Sequence, residues 1–343
     1  MRHFPNFGRA FTKAVDAGES ARLESLISEL ERDVRDAFLQ FLRDTTSEDM
    51  VSAVADRLER GDVQGALDLI NVHIEAMGGT FPRIFIDAAT AETSALIGQV
   101  RPLQPTVGVT FDPSYPAAAD LMRANKLEFV TRFTDTQAAA TRAALAEALD
   151  TGAGIQDTAR AFRESIGLTE DQVRAVNSYE RLLRANSRLA LDRVLRDRRF
   201  DPTVERAVQT GEPLSEDQIN LMVDRYRARA LASRAETLAR TETIKTMSQA
   251  QDAAMEQTMA AAKIEPGRVE QTWNTIIDGR ERFTHEILDG QVRPFGVPFQ
   301  SVSGALLRYP GDPSAPAAEI INCRCHRTFR ILSLQEMEDR KAA

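Results

Sequence analysis

The chain is poor in cysteine: its 343 residues include only Cys323 and Cys325, and a single residue separates them. Two thiols this close can hardly form an unstrained disulfide with each other, because the geometry of the bridge conflicts with an extended backbone. A disulfide framework is therefore not expected. Reduced thiols and metal ligands are the two interpretations that remain.

Long apolar runs are missing as well. The sequence has no stretch of about 18 consecutive apolar residues, the length that a membrane-spanning helix requires. The segment Met1-Arg2-His3-Phe4-Pro5 lacks the apolar core of a secretory signal. The sequence therefore predicts neither a membrane span nor export, and we expect the protein to be made and assembled in a cytosol.

Lysine is scarce too. Only five of the 43 basic residues are lysine and the others are arginine, in a chain whose formal net charge is −8. Arginine suits bidentate contacts with phosphate or carboxylate groups, although a GC-rich genome produces the same bias. With 43% hydrophobic residues the chain can bury one or two sizeable cores, so we expect two or three domains.

The common catalytic motifs are absent from the sequence. It contains no P-loop, no Gly-x-Gly-x-x-Gly turn, no His-Glu-x-x-His helix and no Gly-x-Ser-x-Gly nucleophile elbow. Nucleotide hydrolysis, dinucleotide redox chemistry and the common hydrolase mechanisms therefore find no support. The sequence favours a protein that is not an enzyme.

Helical periodicity dominates the chain up to about residue 265. Apolar residues recur at three- and four-residue steps from about Phe11 to Arg43, and shorter patterns predict further helices up to Ile97. Prolines and a glycine between Gln99 and Pro116 predict an extended linker with a short strand at Val107–Phe111. Helices are predicted again for about residues 117–150, 155–165, 170–198 and 216–263, and the last two begin with capping boxes, Thr169 with Gln172 and Ser215 with Gln218.

The helix predicted to run to about Arg198 carries a local excess of positive charge in an otherwise acidic chain. Arg181, Arg184 and Arg188 would share one helical stripe that can follow a phosphate backbone, which makes them candidates for contact with nucleic acid. No aromatic residues interleave with them to stack on bases. A solvated face that pairs with acidic neighbours explains the same pattern, so both interpretations stay open.

The periodicity changes after residue 266, where the sequence predicts a small α+β unit. Strands are predicted at 269–277, 291–295 and 319–332, a short helix at 281–288, turns at 278–279 and 289–290, and an irregular loop at 301–316. The predicted fold class is mostly α, with long amphipathic helices and a small C-terminal α+β domain. The predicted division is an N-terminal helical domain (1–98), a Pro-rich linker (99–116), an Arg-rich helical domain (117–214), a long connecting helix (215–265), the α+β domain (266–333) and a tail (334–343).

Both cysteines would fall on one face of the last predicted strand. Thiolates of Cys323 and Cys325 together with His285 would supply three zinc ligands, and Asp278 or Asp289 would supply a fourth. Zinc is therefore a possible cofactor. The alternative is a pair of buried thiols in a small apolar core, which needs no metal, and both interpretations stay open.

Five short motifs stand in a fixed order between about residues 215 and 331. Their residues are Ala239-Arg240-Thr241-Glu242-Thr243, Trp273, Asp278, Arg280, His285, Leu288, Asp289, Gly290, Asn322, Cys323, Arg324 and Cys325. In this order and spacing they resemble the head morphogenesis, or minor head protein, family of tailed bacteriophages, in its Mu-like group. The first two hundred residues add nothing to the resemblance.

The resemblance implies a minor structural protein of a phage head. Such a protein would be made in the host cytoplasm, would lie in the virion near the portal, and would act in head assembly and in DNA packaging, retention or ejection. The implied partners are the portal protein, the major capsid protein and packaged double-stranded DNA, with several copies in the particle. Arg240 and Glu242 would brace the terminal domain. Family members often carry two cysteines where this chain has Arg282 and His285, which removes one ligand from a closed four-coordinate site.

Two other functions stay open. A metal- or thiol-dependent hydrolase or toxin would use His285, Asp289 and Cys323 as its reactive residues. A cytosolic DNA-binding protein would bind free duplex DNA with a steep dependence on salt, which the acidic composition disfavours. Trp273 is most simply a core anchor, and Gly290 a turn former.

Overall fold

The computed structural model describes residues 17–150, 152 and 154–342. Helices make up most of this part of the chain, and a few antiparallel strands lie near its C-terminal end. The predicted fold class, mostly α with a small C-terminal α+β region, is confirmed. The first residues of the helix predicted from Phe11, and Thr151 and Ala153 of the predicted pause, lie outside the described residues.

The helical part precedes the strands. Its helices are α1 (Ala17–Thr45), α2 (Glu48–Glu59), α3 (Val63–Gly78), α4 (Thr80–Val100), α5 (Pro116–Asp150), α6 (Ile155–Ser165), α7 (Glu170–Arg184), α8 (Asp201–Thr210) and α9 (Glu216–Ala262). Two 3-10 turns, Arg188–Asp192 and Arg198–Phe200, lie between α7 and α8. None of the helices in the described residues combines the length and apolar character that a membrane crossing requires.

The C-terminal part alternates short strands and short helices. After a 3-10 turn at Pro266–Arg268 follow β1 (Val269–Asn274), α10 (Phe283–Leu288), β2 (Val292–Pro294), β3 (Phe299–Gln300), β4 (Leu306–Leu307), α11 (Ala317–Ile320), β5 (His326–Ile331) and α12 (Leu334–Ala342). The strands form an antiparallel sheet in the order β2-β1-β5 and a separate β3-β4 pair. In the sheet Trp273 lies opposite Arg327.

Side-chain caps explain where several helices begin. At the start of α7, Thr169 and Gln172 each accept a hydrogen bond from the backbone of the other, which is the predicted capping box. Ser215 and Gln218 form the second one at the start of α9. From this cap α9 continues as one helix of 47 residues.

The helix predicted to run to Arg198 ends much earlier. α7 stops at Arg184, and Asn186 then adopts a left-handed backbone with φ of 46°, a conformation that asparagine tolerates better than most residues. Arg188 starts a 3-10 turn instead of continuing the helix. The prediction of one stripe through residues 181, 184 and 188 was therefore wrong, because apolar periodicity persists across a break that a single left-handed residue causes.

Two predicted strands were also wrong in part. No strand forms at 107–111, a stretch that the structure describes completely. Beside it, Gln257 takes the place of a strand partner: its side chain accepts from the Asp112 N–H and donates to the Asp112 carbonyl, at 2.8 and 2.9 Å. The strand predicted for 319–332 begins only at His326, because Glu319 lies in α11 and Asn322 adopts a left-handed φ of 62°.

The chain groups into two compact units, each discontinuous in sequence. The first comprises the described residues up to 34, residues 79–126 and residues 237–342, and it includes the C-terminal sheet. The second comprises residues 35–78 and the described residues of 127–236. Compactness does not test which segments fold alone, so the linear division given above stays a prediction.

Candidate functional site

The turn after β1 is fixed by the Leu288-Asp289-Gly290 motif. The N–H of Gly290, whose φ is 74°, donates to the Trp273 carbonyl at 2.8 Å, and Asp289 Oδ1 accepts from the N–H of Thr275 at 2.9 Å. Both bonds join the end of α10 to the end of β1. The predicted turn residues therefore hold α10, which carries His285, against the sheet.

The segment before β5 is held by α9. Asn322 donates its backbone N–H to Thr241 Oγ1 at 3.0 Å, and its side-chain oxygen accepts from Arg240 Nη1 at 2.9 Å. These contacts support the left-handed residue that redirects the chain just before Cys323. Glu242, the residue after Thr241 in α9, forms a buried ion pair with Lys245 at 2.9 Å. Of the two residues predicted to brace the terminal domain, Arg240 thus contacts Asn322, whereas Glu242 pairs with a lysine of its own helix.

The two sulfurs and one imidazole come together in this region. Nδ1 of His285 lies 3.3 Å from Cys325 Sγ and 3.6 Å from Cys323 Sγ. All three residues are at most 2% exposed, and their three ligand atoms lie within 4.8 Å of one another. The structure therefore assembles three of the four residues that the sequence suggested for a metal site.

The fourth suggested residue, Asp278, is engaged elsewhere. Its carboxylate accepts two hydrogen bonds from the guanidinium of Arg324, at 2.5 and 2.6 Å, and another from Arg280 at 2.5 Å. The bonds from Arg324 and Arg280 hold the pKa of Asp278 far below its usual range. Among the described residues the cluster comprises His285, Cys323 and Cys325 without Asp278.

Glu319 is the residue that sequence reasoning missed. It is buried, and its Oε2 lies 3.0 Å from His285 Nε2. Its two oxygens also accept from the hydroxyls of Thr284, Ser301 and Ser303, at 3.0, 3.1 and 2.5 Å. Burial alone would raise the pKa of Glu319, but these hydrogen bonds outweigh burial and lower it, so the carboxylate is ionised.

The only sequence signal for this role was an isolated acidic residue in the apolar run that leads to the cysteines. Its position relative to His285 depended on α11, where a strand had been predicted. The same arrangement bears on the hydrolase hypothesis, because Glu319 and not Asp289 lies at the second ring nitrogen of His285.

The two thiols differ in their electrostatics. The hydrogen bond from the Cys323 thiol lowers the pKa of Cys325 against the opposing effect of burial, and His285 adds to the lowering. The same hydrogen bond, together with burial, raises the pKa of Cys323. Cys325 is therefore the sulfur that carries negative charge first.

Trp273 anchors the core around the cluster. It is fully buried, and its ring meets the rings of His285 and Phe299 edge to face, each at 5.3 Å between centroids. Its Nε1 donates to Thr275 Oγ1 at 3.1 Å, so its polar atom is satisfied as well. Leu288, Leu307 and the two cysteines belong to the same apolar cluster.

The arginines suggested for a nucleic-acid contact lie in the second compact unit. Arg181 pairs with Glu147 at 2.7 Å, and Arg184 pairs with Glu180 and Glu216 at 2.9 and 2.6 Å. Arg188 is exposed on the 3-10 turn after α7. Two of the three arginines therefore form ion pairs with acidic neighbours, and the third is not on their helix.

Comparison with known families agrees with the position of this site. The family model described as phage Mu protein F like protein matches residues 199–328, a stretch that includes α9, β1, α10 and the whole Cys-His cluster. No curated protein and no solved structure matches the chain. Residues 199–328 are thus similar to the phage Mu protein F like family, and this similarity supports the resemblance to phage head morphogenesis proteins.

Proposed function

We propose that this head morphogenesis protein is a minor structural component of the phage head, positioned near the portal. There it contacts the portal protein and the major capsid protein, and several copies act in head assembly and in DNA packaging, retention or ejection. The family match supports the part played in the head. The position near the portal and the contacts with the portal protein and the major capsid protein are part of our proposal.

One observation carries the structural rather than the enzymatic interpretation. The polar motif residues are used to hold the fold: Asp278 binds Arg324, Asn322 binds Arg240, and Asp289 caps the N–H of Thr275. A docking module needs a rigid shape, and hydrogen bonds between segments far apart in sequence provide it. An enzyme would instead have to present such groups to a substrate.

We propose that the protein affects the DNA indirectly, through its protein contacts in the particle, and not by direct contact between a basic helix face and DNA. Arg181 and Arg184 already have acidic partners, which offset their charge towards phosphate. The chain as a whole carries a net charge of −8. We therefore assign the effect on packaging and ejection to protein contacts at the portal.

Quantitative mass spectrometry of purified DNA-filled particles and of precursor heads tests this proposal. We expect the protein in the particle at a copy number near or below that of the portal protein, and chemical cross-links to the portal. Absence from both kinds of particle would sink the proposal. A cytosolic protein that binds free duplex DNA with steep salt dependence would then be the better interpretation.

A matched pair of variants tests whether the C-terminal module is what docks. Arg324→Ala removes the ion pair to Asp278, whereas Arg330→Ala removes an exposed arginine of β5 that pairs with Glu336. We expect the first variant to be depleted from particles and the second to be incorporated as the unchanged protein is. Equal incorporation of both would show that docking does not depend on this module.

A further inference from the structure

We propose that His285, Cys323 and Cys325 bind one zinc ion, through His285 Nδ1 and the two sulfurs. This inference does not depend on the position of the protein in the phage head. The ion would join α10 to the segment before β5, two parts of the chain that are far apart in sequence. Its role would be to lock the small sheet domain.

The distances in the cluster fit a tetrahedral zinc ion. With zinc–sulfur bonds of about 2.3 Å and zinc–nitrogen bonds of about 2.0–2.1 Å, neighbouring sulfur and nitrogen ligands lie about 3.6 Å apart. The distances from His285 Nδ1 to Cys325 and Cys323 are 3.3 and 3.6 Å. Both nitrogen–sulfur distances are thus compatible with two edges of such a tetrahedron.

The carboxylate of Glu319 prepares the imidazole for this task. Its Oε2 lies 3.0 Å from His285 Nε2, so the carboxylate can accept the ring proton on Nε2 that zinc binding through Nδ1 requires. The lone pair is then on Nδ1, directed at the two sulfurs. A carboxylate behind the second ring nitrogen is the usual support for a histidine that binds zinc.

Hydrogen bonding alone explains the cluster less well. The single lone pair of Nδ1 can accept one good hydrogen bond, yet two sulfurs approach it in a site that is closed to solvent. Cys323 Sγ also receives the N–H of Cys325 at 3.4 Å, a contact that the charged sulfur of a metal-bound cysteine would strengthen. A bound cation would satisfy Nδ1 and both sulfurs together, and this set of nitrogen and sulfur donors is selective for zinc over magnesium or calcium.

A small cavity leaves space for a fourth ligand. It has a volume of about 20 Å³ and is bordered by His285, Cys325, Thr275 and Asn322, among others. This space holds about one water molecule. We assign the fourth coordination position to water, since Asp278 is occupied by Arg324 and Arg280.

The first experiment measures metal in the purified 343-residue chain. We expect one zinc per chain by elemental mass spectrometry. Replacement of zinc by cobalt should give a thiolate-to-cobalt charge-transfer absorption that loses about half its intensity in Cys323→Ser and in Cys325→Ser, because each variant removes one of two thiolates. His73→Asn, which changes a histidine outside the cluster, is the matched control and should keep both the zinc and the absorption.

The second experiment separates a bound ion from a merely packed core. A chelator should lower the Tm of the unchanged protein but not that of Cys323→Ser with Cys325→Ser, which has no ion to lose. Glu319→Gln keeps all three ligands, and we expect it to bind zinc about 10–100-fold more weakly, as for other supporting carboxylates.

If the cysteine variants fail to fold, the chelator titration and the cobalt spectrum of the unchanged protein still decide the question. A protein that takes up no stoichiometric zinc, shows no thiolate-to-cobalt absorption and keeps its Tm in chelator would overturn the proposal. Stoichiometric iron or copper in place of zinc would overturn the choice of metal.

Discussion

Asp278 and Arg324 form a two-pronged ion pair that joins the two halves of the C-terminal motif. The turn after β1 supplies the carboxylate, and the residue between the two cysteines supplies the guanidinium. Such planar pairing fixes orientation as well as distance. Arg324 is thereby held so that the residues on either side, Cys323 and Cys325, face His285.

Replacing Arg324 by alanine should loosen the cysteine segment. We expect a lower midpoint of urea unfolding, with a larger decrease than Arg330→Ala causes, because the side chain of Arg330 is 58% exposed and that of Arg324 only 18%. Equal midpoints for the two variants would show that the Asp278–Arg324 pair does not stabilise the domain.

The carboxylate of Asp312 makes a contribution to the stability of the fold that depends on pH. Burial alone would raise its pKa, but hydrogen bonds from Arg308 and Ser314 outweigh burial and lower the pKa from 3.8 to about 2. The lowered pKa means that the contribution is present above about pH 4 and is lost as pH falls towards 2. This lowering of the Asp312 pKa corresponds to a contribution on the order of 2 kcal/mol to the free energy of unfolding.

Asp312→Asn should therefore reduce the free energy of unfolding near neutral pH by on the order of 2 kcal/mol. The difference from the unchanged protein should shrink as the pH is lowered from 4 to 2, which denaturant titrations at several pH values can follow. Asp56→Asn, at an exposed position of α2, serves as the control. A constant difference across this range would contradict the assignment.

Truncation of Trp273 should empty the centre of the C-terminal core. We expect Trp273→Ala to cost about 3–5 kcal/mol of unfolding free energy, and Trp273→Phe clearly less, since phenylalanine keeps the edge-to-face packing on His285. Circular dichroism is the suitable measurement, because either variant removes the only tryptophan. A loss below about 1 kcal/mol for the alanine variant would show that the site collapses without cost.

The buried ion pair between Glu242 and Lys245 should stabilise α9, and removal of one partner should be costly. Both side chains are at most 5% exposed, and their charged atoms are 2.9 Å apart. Glu242→Gln leaves a buried ammonium without this partner, so we expect a loss of about 3–5 kcal/mol. Lys245→Met in addition should restore part of the stability, and a double-mutant cycle measures the coupling. Strict additivity of the two single changes would contradict a direct interaction.

The arginines of α7 should matter little for binding to free DNA. Arg184 shares its charge with Glu180 and Glu216, so Arg184→Ala should change the affinity for duplex DNA by less than about two-fold at fixed salt. Arg188→Ala, at an exposed position on the following turn, is the matched variant. A large loss of affinity in Arg184→Ala alone would favour the DNA-contact hypothesis.

The sequence by itself determined the features that depend on neighbouring residues. The capping boxes of Thr169 and Ser215 set the starts of α7 and α9, and apolar periodicity gave the mostly helical fold class. The spacing of the two cysteines and the resemblance to phage head proteins singled out the cluster with His285. These signals are local, because caps and periodicity act over one or two helical turns.

Tertiary structure alone decided which polar groups meet. Glu319 lies beside His285, and Asp278 binds Arg324 instead of joining the cluster, although 34 and 46 residues separate the members of these two pairs. Left-handed residues at Asn186 and Asn322 ended a helix and delayed a strand where periodicity predicted neither. Pairing across such distances depends on how α10 and β5 pack against β1, and no pattern of neighbouring residues contains that information.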